Sequence, residues 1–270
     1  MKLFERETVK STLRTPRPSL LPYKPELSVS ALYRGSRVGG DFYEFLPLSE
    51  TRMLFVLADI AGKRDQALHI AAAVQDAIQQ RAPELLGDGN ANVSEGVTAL
   101  TIELNRSVMQ AAGGVRSAPA FVGCLDEQFG LMHFISAGHP PALVKGTDGI
   151  TQLDPNGLPL GLFSHATHDA QISVVPPGSS IVMVSKGLIE VSADHREFGI
   201  ERVRQVLDEQ SFPSAQHLCH EVLERAAKFA EQPSSFGPQF SIPGFRSSQK
   251  PNDHTVVCLM RMAYQTAAAD

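Results

Sequence analysis

The chain has 270 residues, 43% of them apolar and 20% charged, and a net charge of −5 at pH 7. These values are ordinary for a globular protein and exclude a disordered chain. The acidic balance excludes a global basic field that would draw in nucleic acid or an anionic membrane. No stretch approaches the roughly 18 apolar residues of a membrane helix. The start, Met1 to Glu7, alternates charge and lacks the apolar core of a signal peptide. Cys124, Cys219 and Cys258 are too widely spaced for a disulfide framework or a metal-binding pattern. That suits a reducing, cytoplasmic setting.

Residues 1–25 read as an N-terminal arm, because Pro16, Pro18, Pro22 and Pro25 break any helix and Lys10, Arg14 and Arg17 make it basic. Such an arm ties a domain to something else, here a sensor or scaffold partner. Residues 26–263 form the domain, and 264–270 a polar, Ala-rich tail. Alternating apolar residues predict a strand from Leu27 to Tyr33. Phe42 to Leu48 and Met53 to Ile60, separated by Ser49-Glu50-Thr51-Arg52, predict a hairpin. Met53 to Ala58 is apolar at every position, as a central strand covered on both faces would be. Ala67, Ile70, Ala71, Val74, Ala77 and Ile78 form one helical stripe. Val97, Leu100, Leu104 and Val108 form a second, closed by Gly113-Gly114. Strands return at Ala120–Asp126 and Leu131–Ala137, with shorter ones near Ala142–Lys145, Gln171–Val175 and Ile181–Ser185. Two more helices fit Ile200–Leu207 and Ala215–Phe229. Residues 232–251 read as a long surface loop, mobile or partner-binding, before a closing strand at Thr255–Met262. Strands followed by helices in this order predict an α+β fold, with helices packed on antiparallel sheets.

No phosphate-binding glycine loop, dinucleotide fingerprint or serine-nucleophile elbow is present. His165 and His168 are three apart but have no further ligands nearby in sequence. What remains is acidic: Asp41 opens one strand after Gly39-Gly40, and Asp59 closes the next. A carboxylate ending a buried strand needs a partner, either turn N–H groups or a hard divalent cation.

Several motifs in order resolve this. Val38-Gly39-Gly40-Asp41-Phe42-Tyr43, Ala58-Asp59-Ile60-Ala61-Gly62-Lys63, Leu104-Asn105-Arg106, Ser136-Ala137-Gly138-His139-Pro140-Pro141, Gly157-Leu158-Pro159-Leu160-Gly161 and Glu197-Phe198-Gly199 are all present. Together they resemble the SpoIIE/RsbU branch of the metal-dependent, type 2C serine/threonine protein phosphatases, from about Leu27 to Met262. The resemblance implies an α-β-β-α sandwich, with two stacked antiparallel sheets flanked by helices. It also implies Mn2+ or Mg2+ held by aspartates and an activated water that attacks phosphorus. Asp59 is then the bridging ligand, the Ile60 carbonyl a further oxygen, and Asp41 a ligand or a group that orients metal-bound water.

Two positions depart from the family pattern. Its later Asp-Gly motif falls on Lys186-Gly187, and its terminal aspartate falls on Asn252, next to Asp253. Two ligands of the second metal are therefore Lys and Asn, which leaves charge for one tight ion. A local bulge would let Asp253 replace Asn252. Arg64 stands where the family has an uncharged helix start and is a candidate to hold a phosphate oxygen. His139, between a strand end and two prolines, reads as structural. The expected function is hydrolysis of phosphoserine or phosphothreonine on a regulatory protein, such as an anti-sigma-factor antagonist, with impaired turnover. The alternative is a catalytically inactive pseudophosphatase that acts as a binding module.

Overall fold

The structure is a computed structural model that describes residues 14–35, 40–194, 196–231 and 253–263. In chain order its elements are β1 (Leu27–Arg34), β2 (Asp41–Pro47), β3 (Arg52–Asp59), α1 (Arg64–Leu86), α2 (Val93–Ala112), β4 (Ala120–Asp126), β5 (Leu131–Ala137), β6 (Ala142–Gly146), β7 (Gly149–Leu153), β8 (Gln171–Val174), β9 (Ser180–Val184), α3 (Lys186–Ile189), β10 (Ser192–Ala193), β11 (Arg196–Glu197), α4 (Gly199–Glu209), α5 (Ala215–Ala230) and β12 (His254–Arg261). Two five-stranded sheets carry the fold, one ordered β2-β3-β4-β5-β8 and the other β1-β12-β9-β6-β7. All pairings within them are antiparallel. A two-stranded ribbon, β10-β11, stands apart.

Side-chain alternation explains the layering. On β3, Leu54, Val56 and Ala58 point to one face and pack with Ile70, Val74 and Ile78 of α1 and Leu100 and Leu104 of α2. Met53, Phe55 and Leu57 point to the other face and meet Met183 of β9 and Val257 of β12. A third apolar layer joins Val182, Val184, Val256 and Cys258 to Leu218 and Val222 of α5 and Val203 and Leu207 of α4. Three apolar seams therefore hold four layers, helix on sheet on sheet on helix. A strand covered on both faces has no polar side, which is why β3 is apolar from Met53 to Ala58 and β4 from Ala120 to Leu125. In the middle seam Phe121 stacks on Phe134 with ring centroids 5.4 Å apart, and on Phe55 at 6.1 Å. Such offset pairs add to the area they bury.

The helix ends follow local chemistry. The Asn92 side chain accepts from Glu95 N–H and starts α2, and Gly113, in the left-handed region at φ 64°, ends it. Ser214 caps α5 in the same way. Buried Arg52 ties the far end of the sandwich. It pairs with Asp126 at 3.1 Å and donates to the carbonyls of Leu86, Asp88 and Gly89.

The described part of the arm is held down. Arg17 N–H donates to Gln75 on α1, and Ser19 donates to the Tyr43 carbonyl and to buried Glu44 on β2. Arg14 pairs with Asp76, and Lys24 with Glu127. The predicted loop 232–251 lies outside the described residues. Among the described residues no helix is long and apolar enough to cross a membrane.

Candidate active site

The site forms at one end of the sandwich, where strands of both sheets terminate. Asp41 opens β2 and Asp59 closes β3, and the hairpin register makes them direct cross-strand partners. From the other sheet come Thr255 on β12, the preceding Asp253, and Ser185 after β9. Thr255 Oγ1 donates to Asp41 Oδ2 at 2.6 Å, across the two sheets. Ser185 Oγ donates to the Asp253 carbonyl at 3.2 Å and accepts from Thr255 N–H at 3.0 Å. The Tyr33 hydroxyl donates to Asp253 Oδ1 at 2.5 Å.

The electrostatics follow from this crowding. Burial, then the Asp59 charge, pushes the Asp41 carboxyl from its ordinary value up to about 7, against the hydrogen bonds from Thr255 and Ser185. Burial also raises Asp59, with Glu190 and Asp253 adding to the rise and the Lys186 ammonium opposing it. Carboxylates crowded in this way are short of positive charge.

Small residues leave room for oxygen. A Cβ on Gly40 would lie 2.0 Å from the Ile60 carbonyl oxygen, and one on Gly35 would lie 2.2 Å from Asp253 Oδ1. Any side chain at either position would displace one of those oxygens. The donor set is therefore hard oxygen alone, the chemistry that magnesium and manganese prefer. Asp41, Asp59 and Asp253 against the Lys186 ammonium leave a charge of −2, and Glu190, which also acts on Asp59, makes it −3. No three His, Cys, Asp or Glu side chains among the described residues converge as a ready-made metal cage. The oxygens present are of the kind that would hold a hard divalent cation.

Lys186 opens α3 at the rim and pairs with Glu190 at 3.4 Å. Arg64 is exposed at the first residue of α1. Asn252 lies outside the described residues, as do Val38 and Gly39 of the first motif.

The other motifs build walls. Asn105 Oδ1 accepts from Gly161 N–H at 2.7 Å, and its Nδ2 donates to the Phe163 carbonyl at 3.0 Å. One motif therefore fastens another. His139 is fully buried, edge-on to Phe121, with Nδ1 at 2.9 Å from the Pro140 carbonyl. Its contacts are to the backbone and the core, and its Nε2 is buried with no partner among the described residues. His168 packs on Gly157 and faces the Leu158 carbonyl at 2.9 Å, so it is part of the same wall.

Sequence reasoning missed Tyr33, Ser185, Thr255 and Arg116 at this end of the molecule. Their partners are distant in sequence, up to 220 residues in the case of Tyr33 and Asp253. Thr255 and Ser185 stand inside the departing motifs, Asn252-Asp253-His254-Thr255 and Ser185-Lys186-Gly187, but no local pattern gives them these partners, and none marks Tyr33 or Arg116.

Comparison with known proteins gives a consistent answer. The family model for Stage II sporulation protein E (SpoIIE) matches residues 49–235. Protein IcfG of Synechocystis sp. is 22% identical over 211 residues, which is 70% of this chain and 33% of that protein. The chain thus spans about a third of the length of this curated relative. The RsbU and RsbW domains of a Mycobacterium tuberculosis protein superpose with a TM-score of 0.64 at 21% identity, over 87% of this chain and 60% of that one. The PP2C phosphatase domain of SpoIIE from Bacillus subtilis, with a fragment of its regulatory domain, gives 0.63 at 17% identity, over 88% and 63%.

Proposed function

We propose, because this chain belongs to the SpoIIE family and has the type 2C serine/threonine phosphatase fold, that it acts on phosphoserine or phosphothreonine carried by a regulatory protein. The single observation that carries this reading is the Asp41–Asp59 strand-end pair, opposed across the sheets by Asp253 and Thr255. In this proposal Asp59, Asp41, Asp253 and the Ile60 carbonyl hold one Mn2+ or Mg2+. When bound, such an ion supplies a Lewis acid for the phosphoryl oxygens and an acidified water as nucleophile.

The chain's own residues do the rest. Thr255 fixes the rotamer of Asp41, and Tyr33 fixes that of Asp253. Lys186 brings a positive charge to the side of Asp59 where relatives use a second aspartate ligand. There it opposes a second cation and offers an ammonium to a phosphoryl oxygen. Turnover slower than that of a two-ion enzyme follows from the loss of that ion. The substrate we propose is a phosphorylated regulator of the anti-sigma-factor-antagonist kind, met in the cytoplasm. The arm, held on α1 and β2, is where a sensor or scaffold would act.

A second reading, a pseudophosphatase that binds without turnover, is favoured by one observation: Lys186 and Glu190 already pair with each other at the rim. One experiment separates the two readings. Phosphate release from a phosphoserine peptide with manganese is measured for wild type and Asp59→Ala. The enzyme reading requires release by wild type and its loss in the variant. Equal background in both, together with tight peptide binding, selects the binding module.

A further inference from the structure

Arg116 lies in the segment between α2 and β4, in neither strand nor helix. That segment runs along the residues that follow Asp59. Asp59 N–H donates to the Pro119 carbonyl at 2.8 Å, and Ala61 N–H donates to the Ser117 carbonyl at 3.0 Å. On its other side Arg116 N–H donates to the Gly161 carbonyl at 3.0 Å. The backbone of Arg116 is therefore clamped between the Asp59 turn and the loop that Asn105 fastens.

Its guanidinium lies over Gly62, three residues past Asp59. A Cβ placed on Gly62 would be 3.1 Å from Nη1 and 3.6 Å from Cζ. Among the described residues no carboxylate is within ion-pair distance of it; Arg202 and Arg261 also lack one, but their guanidiniums donate to backbone carbonyls. Its one side-chain contact is a long one, Nη2 to Gln66 Oε1 at 3.5 Å. Its Nε is buried with no partner. A guanidinium has five N–H donors in a rigid fork that matches phosphate geometry. Buried donors are normally paired, so an orphan over the turn that follows Asp59 points to a missing acceptor.

We propose that Arg116, and not Arg64, is the arginine that positions the phosphomonoester dianion of the substrate, through a charge-assisted contact to its oxygens. The inference rests on the phosphatase reading above. It adds a substrate-positioning residue that lies outside every motif of the resemblance. Arg64, exposed on α1, has no comparable clamp.

The test is binding, so that it does not depend on turnover. Inorganic phosphate, and then a phosphoserine peptide with its unphosphorylated control, are titrated calorimetrically in manganese buffer. The proteins are wild type, Arg116→Ala, Arg116→Gln, Arg64→Ala and Arg106→Ala, each with a melting curve. The proposal expects Arg116→Ala to weaken phosphate and phosphopeptide at least tenfold at unchanged melting temperature, with Arg106→Ala within twofold of wild type. If Arg116→Ala unfolds, Arg116→Gln, which keeps the stem and removes the charge, decides in its place by the same tenfold criterion. Wild-type affinity in the Arg116 variants overturns the proposal, as does a loss carried by Arg64→Ala instead. A wild type that binds neither phosphate nor phosphopeptide overturns the phosphatase reading itself, and this inference with it.

Discussion

The Tyr33 hydroxyl donates to Asp253 Oδ1 at 2.5 Å and holds that carboxylate at the end of the sandwich where Asp41 and Asp59 meet. Tyr33 lies on β1 opposite Thr255 of β12, and Thr255 in turn holds Asp41. Two neighbouring strands of one sheet therefore fix carboxylates from both sheets. This arrangement bears directly on whether Asp253 or Asn252 serves as the acidic ligand.

Manganese uptake addresses that question. Calorimetry is expected to give one tight ion per chain, in keeping with the −2 charge of the three aspartates and Lys186. Asp59→Ala and Asp253→Ala should each abolish it, whereas Asn252→Ala should leave the affinity within a few-fold. Tyr33→Phe removes the donor to Asp253 and should weaken the ion several-fold without erasing it. Two tight ions in wild type, or unchanged binding in Asp253→Ala, would contradict the assignment.

Lys186 is the position where repair should act. Burial raises the Asp59 carboxyl, the Lys186 ammonium opposes that rise, and it repels any second cation. Lys186→Asp exchanges one positive for one negative charge and supplies a ligand. With Asp253 in place, that single change is expected to admit a second manganese and raise p-nitrophenyl phosphate hydrolysis at least tenfold. Adding Asn252→Asp should then bring little. If only the double variant gains activity, Asn252 marks the true ligand position. A wild type already as fast as either variant would remove Lys186 from the account of turnover.

The middle apolar seam gives a stability test. Phe121 is fully buried and stacks on both Phe55 and Phe134. Phe121→Ala should destabilise the protein by about 3–5 kcal/mol, the usual range for an aromatic removed from a core. Urea unfolding measures this. Phe129→Ala, at a residue that is 67% exposed, should change stability by less than about 0.5 kcal/mol.

What the sequence made legible depends on how local each signal is. β3 was readable because a strand covered on both faces is apolar at every position, and α1 and α2 because one face of each is buried. β7 was not, since Thr151 and Gly149 leave its exposed face without an alternating pattern. α3 is a single turn of four residues, too short for any helical period. Asp41 and Asp59 stood out because each sits beside a glycine motif at a strand end. Thr255, Ser185 and Tyr33 act through contacts between strands far apart in the chain, which only the topology reveals. Arg116 is a lone basic residue in a connecting segment, and nothing in its neighbours marks it.

The last prediction concerns acid. Burial pushes the His139 imidazole down from 6.5 to about 4, against a hydrogen bond to the Pro140 carbonyl. In the unfolded chain the same group titrates near 6.5. At His139, between about pH 6.5 and about pH 4, the unfolded state therefore binds more proton than the native one, so this group favours unfolding as the pH falls, while buried Asp41, pushed up to about 7, contributes slope of the opposite sign in wild type and variant alike. The contribution of His139 is fully present above about 6.5 and is lost as pH falls toward 4, by up to about 3 kcal/mol. His133 and His254 are also lowered by burial and add slope of the same sign. His139→Asn removes one titrating group and leaves those two in place. The variant should be less stable than wild type at pH 7, because packing on Phe121 is lost. What decides the matter is the slope, measured by urea unfolding at several pH values between 7 and 4. A shallower acid slope in the variant supports a neutral, structural His139. Parallel slopes would mean that the imidazole titrates normally in the folded protein and is open to proton exchange.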